Sequence, residues 1–234
     1  TQMVAYNLCY SLFILIDNDN VDYSLISLIS IGATAVVFVV WYWHTLGKPR
    51  YSFKKIKDIL KIQDAFMIIV IGICIQTGSY IILNLVLPHI TWIQQKYNNH
   101  METILDGNLW VTVMLTVILA PIAEECAFRG IVLFYAKKNM PLLFANIIQS
   151  ILFAFYHMEV VQGIYAFVIG LILGWISIRF KSICPCIIMH MSINIFGLVV
   201  GYVITEKSLE HIVLMIITAV VMFIVVGYLL NRLN

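Results

Sequence analysis

Charge is what this chain has least of. Only 11% of its 234 residues are Asp, Glu, Lys or Arg, while 62% are hydrophobic; a soluble domain carries about 25% charged residues. With a mean hydropathy of +0.97, the composition excludes an ordinary soluble domain and leaves no basic surface for nucleic acid. Cysteine is also sparse. Five (Cys9, Cys74, Cys126, Cys184, Cys186) lie scattered in or beside apolar stretches, an odd set that makes no disulfide framework. Cys184-Pro185-Cys186 has a one-residue gap and no second pair, so it reads as small buried residues rather than a metal or redox pair. No cleavable signal peptide is evident, because the first apolar stretch lacks a basic start and an A-x-A-like site. The sequence has no internal repeat and no low-complexity segment.

What remains is a series of long apolar runs. Eight have the length and composition of membrane spans: residues 3–16, 24–46, 63–87, 109–135, 142–157, 161–178, 183–203 and 209–230. The first and fifth are short, and the fifth is expected to tilt or to end inside the protein. The expected fold class is therefore all-α, a polytopic membrane helical bundle of about eight transmembrane helices forming one domain over residues 1–234.

The connections sort by charge. Lys48, Arg50, Lys54, Lys55, Lys57 and Lys61 follow the second run, Lys137 and Lys138 the fourth, Arg179 and Lys181 the sixth, and Arg232 the eighth. If the spans alternate, these eleven of fourteen basic residues share one side. Asp17, Asp19, Asp22, Glu102, Asp106, Glu159, Glu206 and Glu210 collect on the other. The positive-inside rule then places both termini in the cytoplasm. Residues 48–61 mix basic and apolar residues and read as a cytoplasmic loop able to touch anionic lipid. Residues 88–108 read as the longest connection on the opposite side, with Trp92, Tyr97 and Trp110 as interface anchors. His44, His89, His100 and His211 lie at span ends or in loops, and no role is assigned to them.

Three of the apolar runs carry polar residues at depth. Glu124, Glu125 and Arg129 sit within the fourth, His157 ends the fifth, and His190 and Asn194 lie in the seventh. An ionised group costs roughly 2.5–3.5 kcal/mol at the centre of a spanning helix, so such residues need a purpose or a partner. Residues four apart share a helix face and adjacent ones differ by about 100°. Glu125 and Arg129 are thus placed to pair. Glu124 points elsewhere, free to accept and return a proton, and is the candidate general base. His190 and Asn194 share a face from which both can donate to a developing oxyanion. His157 is placed to orient or activate a water beside Glu124, with Phe153 packing one turn back. At about 1.5 Å per residue from the basic ends, Glu124 lies roughly 20 Å deep, His157 roughly 24 Å, His190 roughly 12 Å and Asn194 roughly 18 Å. Ala123, Ala127 and Gly130, and Gly170 with Gly174, read as faces for close helix packing.

In these residues the chain resembles a known family. Glu124-Glu125-Cys-Ala-Phe-Arg129 matches an EExxxR motif, Phe153-Ala-Phe-Tyr-His157 an FxxxH motif, and His190-Met-Ser-Ile-Asn194 an HxxxN motif, in the order found in the CAAX protease and bacteriocin-processing (Abi) family. That family includes the type II CAAX prenyl endopeptidases. The resemblance runs from about Leu109 to Phe196, the expected catalytic core. It implies an all-helical intramembrane protease in which Glu124 and His157 activate water, His190 and Asn194 form the oxyanion site, and Glu125, Arg129 and Phe153 support them.

Members are often labelled metalloproteases. Zinc held by Glu124, His157 and His190 is the alternative to the metal-free site favoured here, since the chain has no H-E-x-x-H pairing. The expected function is an intramembrane endopeptidase acting on a membrane-embedded or peptide-precursor substrate, in contact with membrane lipid, in a cell membrane of bacterial type. The second reading is a non-proteolytic scaffold or immunity protein that binds a peptide or protein partner. A transporter ranks third, because its polar residues would be spread along several helices.

Overall fold

The computed structural model describes residues 23–46, 60–105, 108–203 and 212–233, and these are almost wholly helical. Eight helices follow in order: α1 Tyr23–Leu46, α2 Ile62–Val86, α3 Thr91–Leu105, α4 Leu109–Asn139, α5 Leu142–Tyr156, α6 Val160–Phe180, α7 Cys184–Val203 and α8 Ile212–Arg232. The run at residues 3–16 and the loop at 48–59 lie outside the described residues, as do Cys9 and His211. Five helices (α1, α2, α4, α6 and α7) are long and apolar enough to cross a membrane. Two shorter apolar stretches, Leu142–Tyr156 and Ile216–Arg232, join them. At 15 residues, α5 reaches about 22 Å, short of the roughly 30 Å of a bilayer's hydrocarbon.

The segment at 88–108 differs from expectation. It is not a plain connection but a short 3₁₀ turn followed by α3. The residues of α3 are too polar for a span, yet Ile93, Tyr97, His100 and Met101 recur at helical spacing and turn inward while Thr91, Trp92, Gln95 and Lys96 stay exposed. Tyr97 is half-buried against the bundle. Burial, with the Glu159 carboxylate and Tyr80 nearby, pushes its phenol up to about 12. Trp92 and Trp110 are exposed, as anchors should be. His100 has a partner too: its Nε2 lies 3.2 Å from Gln162 Oε1 and donates to that carbonyl oxygen.

Local sequence sets the helix ends around the site. Pro141, with φ fixed near −56°, starts α5. Glu159 caps α6, its carboxylate accepting from the N–H groups of Val161 and Gln162 at 3.1 and 2.6 Å. Met158, between α5 and that cap, takes a left-handed φ of 57°. Lys181 ends α6 in the left-handed region at φ 50°, a place glycine usually fills. Pro185 enters the first turn of α7, where its missing N–H costs nothing.

Two packing regions result. Ile68, Ile71 and Ile75 of α2, Leu173 and Ile176 of α6, Met189 and Ile193 of α7 and Val226 of α8 form an aliphatic core. Ala127 and Phe128 of α4, Phe153 of α5 and Ala166 of α6 form a smaller, aromatic one. Small residues let the backbones approach. A Cβ at Gly130 would collide with the Tyr42 ring of α1, and one at Gly174 with Asn146 of α5. The outer faces stay apolar, including Val36, Val37 and Trp43 on α1 and Ile164 and Val168 on α6. Such a surface would demand cover in water; in lipid it needs none.

Candidate active site

The site is built on an irregular helix. α4 contains two π-helical stretches, Met114–Leu119 and Cys126–Val132, on either side of Glu124 and Glu125. Single π turns inside α-helices often mark functional positions. In the first stretch the Ala120 N–H bonds the Leu115 carbonyl, five residues back. The next donor in that pattern would serve Thr116, but it is Pro121, which has no N–H. The Thr116 carbonyl is thus left over, and Asn194 of α7 takes it: its Nδ2 donates to that oxygen at 2.7 Å. One proline in α4 therefore sets an amide on α7.

Glu125 is the hub. Its Oε1 accepts from Arg129 Nη1 at 2.9 Å and from His190 Nδ1 at 2.8 Å. The Glu125–Arg129 pair expected from the spacing is present, with both side chains fully buried. Glu124 lies on the other side of the same imidazole, its Oε2 3.8 Å from His190 Nε2. That oxygen is buried and, among the described residues, has no hydrogen-bond partner. The arginine beside two carboxylates offsets part of their charge, as a low-dielectric interior requires.

Phe153 holds the cluster together. Its ring meets His157 edge-on at 4.7 Å and His190 at 5.8 Å, and the Arg129 guanidinium lies 4.3 Å from its centroid. His157 Nδ1 lies 2.8 Å from the Phe153 carbonyl. A carbonyl only accepts, so Nδ1 carries the proton and Nε2 is left as an acceptor. The structure thus gathers Glu124, Glu125, Arg129, Phe153, His157 and His190 through direct contacts, and ties Asn194 to Thr116 one helix turn beyond His190.

Sequence reasoning missed a second polar layer. On α5, Gln149 is fully buried, and its Nε2 donates to Asn146 Oδ1, Ser150 Oγ and the Gly170 carbonyl of α6 at 2.7–2.9 Å. Arg129 Nη2 donates to the same Gly170 carbonyl at 3.3 Å. Asn146 Nδ2 reaches the Leu171 carbonyl at 2.9 Å. The glycines at 170 and 174 make this fit, because they bring the α6 backbone against Ser150, Asn146 and Gln149. The signal was a run of small and amide residues at spacings of three and four in α5, opposite those glycines.

Among the described residues, no three His, Cys, Asp or Glu side chains stand where they could hold one metal ion. Glu124, His157 and His190 do not form such a set, and no step below is routed through zinc. Cys186 donates its thiol to the Leu173 carbonyl at 3.2 Å, as a buried small residue does.

The fold and this cluster define a class: an integral membrane protein of helices with an acid–imidazole site buried among them. Within it, residues 106–196 match the model of the family described as type II CAAX prenyl endopeptidase Rce1-like, a protease family. The match coincides with the segment from Leu109 to Phe196 over which the three motifs resemble that family. No curated protein and no solved structure matches the chain.

Proposed function

We propose that this protein is an intramembrane endopeptidase that hydrolyses a peptide bond in a membrane-embedded or peptide-precursor substrate. The observation that carries the reading is Glu124, a buried carboxylate oxygen with no hydrogen-bond partner among the described residues, 3.8 Å from an imidazole, in a segment matching a protease family. In this reading Glu124 takes a proton from water while His157 Nε2 accepts the water's second hydrogen and aims it. The hydroxide adds to the peptide carbonyl. Asn194 has one amide N–H committed to Thr116 and one left for the oxyanion. His190 donates from Nε2 as an imidazolium, because its Nδ1 proton is engaged by Glu125.

Protonation of Glu124 adds one positive unit to the cluster as the oxyanion forms, which suits this sequence. Glu124 then gives its proton to the departing amine. We further propose eight spans with both termini on the basic, cytoplasmic side. The Ile- and Asn-rich usage, with ten lysines to four arginines, suggests a low-GC bacterial genome and a bacterial cell membrane as the location.

The test compares wild type with Glu124→Gln, purified in detergent, on a quenched peptide library with apolar C-terminal segments, with and without chelator. Loss of cleavage by roughly 10²–10⁴-fold at unchanged thermal stability is expected. Equal cleavage by the Gln variant would overturn the assignment, and loss of wild-type cleavage in chelator would restore the metal question. Cleavage by neither protein would favour the scaffold reading.

A further inference from the structure

A second feature lies on the basic side of the site. A narrow, open cleft lies between α1, α4 and the turn from α6 to α7. Arg129, Lys137 and Lys181 line it together with the hydroxyl-bearing Ser177 and Ser182, and no carboxylate is among its lining residues. Arg129 is 3% exposed, and its two terminal nitrogens are engaged by Glu125 and Gly170. Among the described residues its Nε has no hydrogen-bond partner, and the side chain lies fully buried behind the cleft wall. Ser182 Oγ accepts from the Cys184 N–H at 3.2 Å, which leaves its hydroxyl proton free to donate outward.

The mouth carries a second sign. Lys181 is held at φ 50°, a conformation that disfavours a side-chain-bearing residue and suits glycine. Yet the position keeps an ammonium at the cleft. Tyr42, on the α1 wall, is flanked by the exposed Trp41 and Trp43, the residues that settle at the headgroup level of a bilayer. The cleft therefore opens where lipid headgroups lie, at the end of the bundle where Lys137, Lys138, Arg179 and Lys181 collect.

We propose that this cleft binds the phosphate-bearing headgroup of an anionic phospholipid, with Lys137 and Lys181 holding the phosphate at its mouth and the hydroxyls of Ser177 and Ser182 donating to its oxygens. The proposal stands without the protease reading and is tested by binding alone.

The experiment follows thermal unfolding of the purified full chain in detergent. The added probes are dihexanoyl phosphatidylglycerol, dihexanoyl phosphatidylcholine, glycerol 3-phosphate and inorganic phosphate. The expected result is a saturable rise in Tm with phosphatidylglycerol only, its half-saturation at least tenfold weaker in Lys137→Gln/Lys181→Gln and within twofold of wild type in Lys138→Gln. Lys181→Gly relieves the left-handed strain, so it should match or exceed the wild-type Tm without lipid and still lose lipid response. An equal lipid response in wild type and both cleft variants overturns the proposal, as does none in wild type. The same saturable rise with inorganic phosphate or glycerol 3-phosphate assigns the cleft to a free phosphate and overturns the lipid.

Discussion

The aliphatic side of this bundle, where α2 meets α7 and α8, and the polar side, where α4 meets α5, α6 and α7, are held by different forces. On the first, Ile68, Ile71, Ile75, Met189 and Val226 make contacts without direction. On the second, Arg129, Gln149, Asn146, His190 and Asn194 each donate to a particular oxygen. Lipid offers no hydrophobic drive for helices to associate, so both sides depend on fit. They differ in what a misfit costs. A lost methyl leaves a small void that neighbours can partly fill, whereas a lost charge partner leaves an ion with nothing to replace it.

The comparison can be broken most directly at Arg129. Arg129→Met keeps the volume but strands Glu125 beside His190 alone, and unfolding in graded SDS should show a loss of about 3–5 kcal/mol. A loss no larger than that of a single methyl would erase the distinction between the two sides. Asn194→Ala is expected to lower kcat by roughly 10²–10³-fold with little change in KM, as steady-state kinetics would record; an effect on KM alone would remove it from the oxyanion site. Pro121→Ala gives α4 an N–H that competes with Asn194 for the Thr116 carbonyl. Activity should fall on the order of tenfold while Tm holds or rises, because an interior proline has gone; unchanged activity would sever the link between helix irregularity and Asn194. Ile71→Val should cost only about 0.5–1.5 kcal/mol and leave turnover alone, and a turnover defect would mean that the aliphatic side also tunes the site.

The two sides were not equally legible in the sequence. Ionisable residues within apolar runs announce themselves, so Glu124, Glu125, Arg129, His157, His190 and Asn194 could be picked out by cost alone, and Phe153 by its spacing from His157. Spacing of four also gave the Glu125–Arg129 pair. It could not give the second contact of Glu125, because His190 lies 65 positions away and no local rule links them. Gln149, Asn146 and Ser150 passed unnoticed, since uncharged polar residues are common in membrane helices and cost little when paired. α3 was missed because a search for apolar runs rejects a helix that is half polar, although its inward face repeats at the helical period. The π turns carry no compositional mark beyond Pro121.

Those π turns have a consequence for the history of the chain. A wider turn holds one more residue than the α-helical turn it replaces while leaving the faces on either side nearly in place. α4 can thus be read as an ordinary helix that has accepted two single-residue insertions, at Met114–Leu119 and at Cys126–Val132. A variant lacking one residue in the first stretch would recover a regular helix and keep its packing. With Leu115 as the residue removed, the Ala120 N–H, four positions after Thr116, would take the Thr116 carbonyl, so the helix would gain regularity and lose its hold on α7.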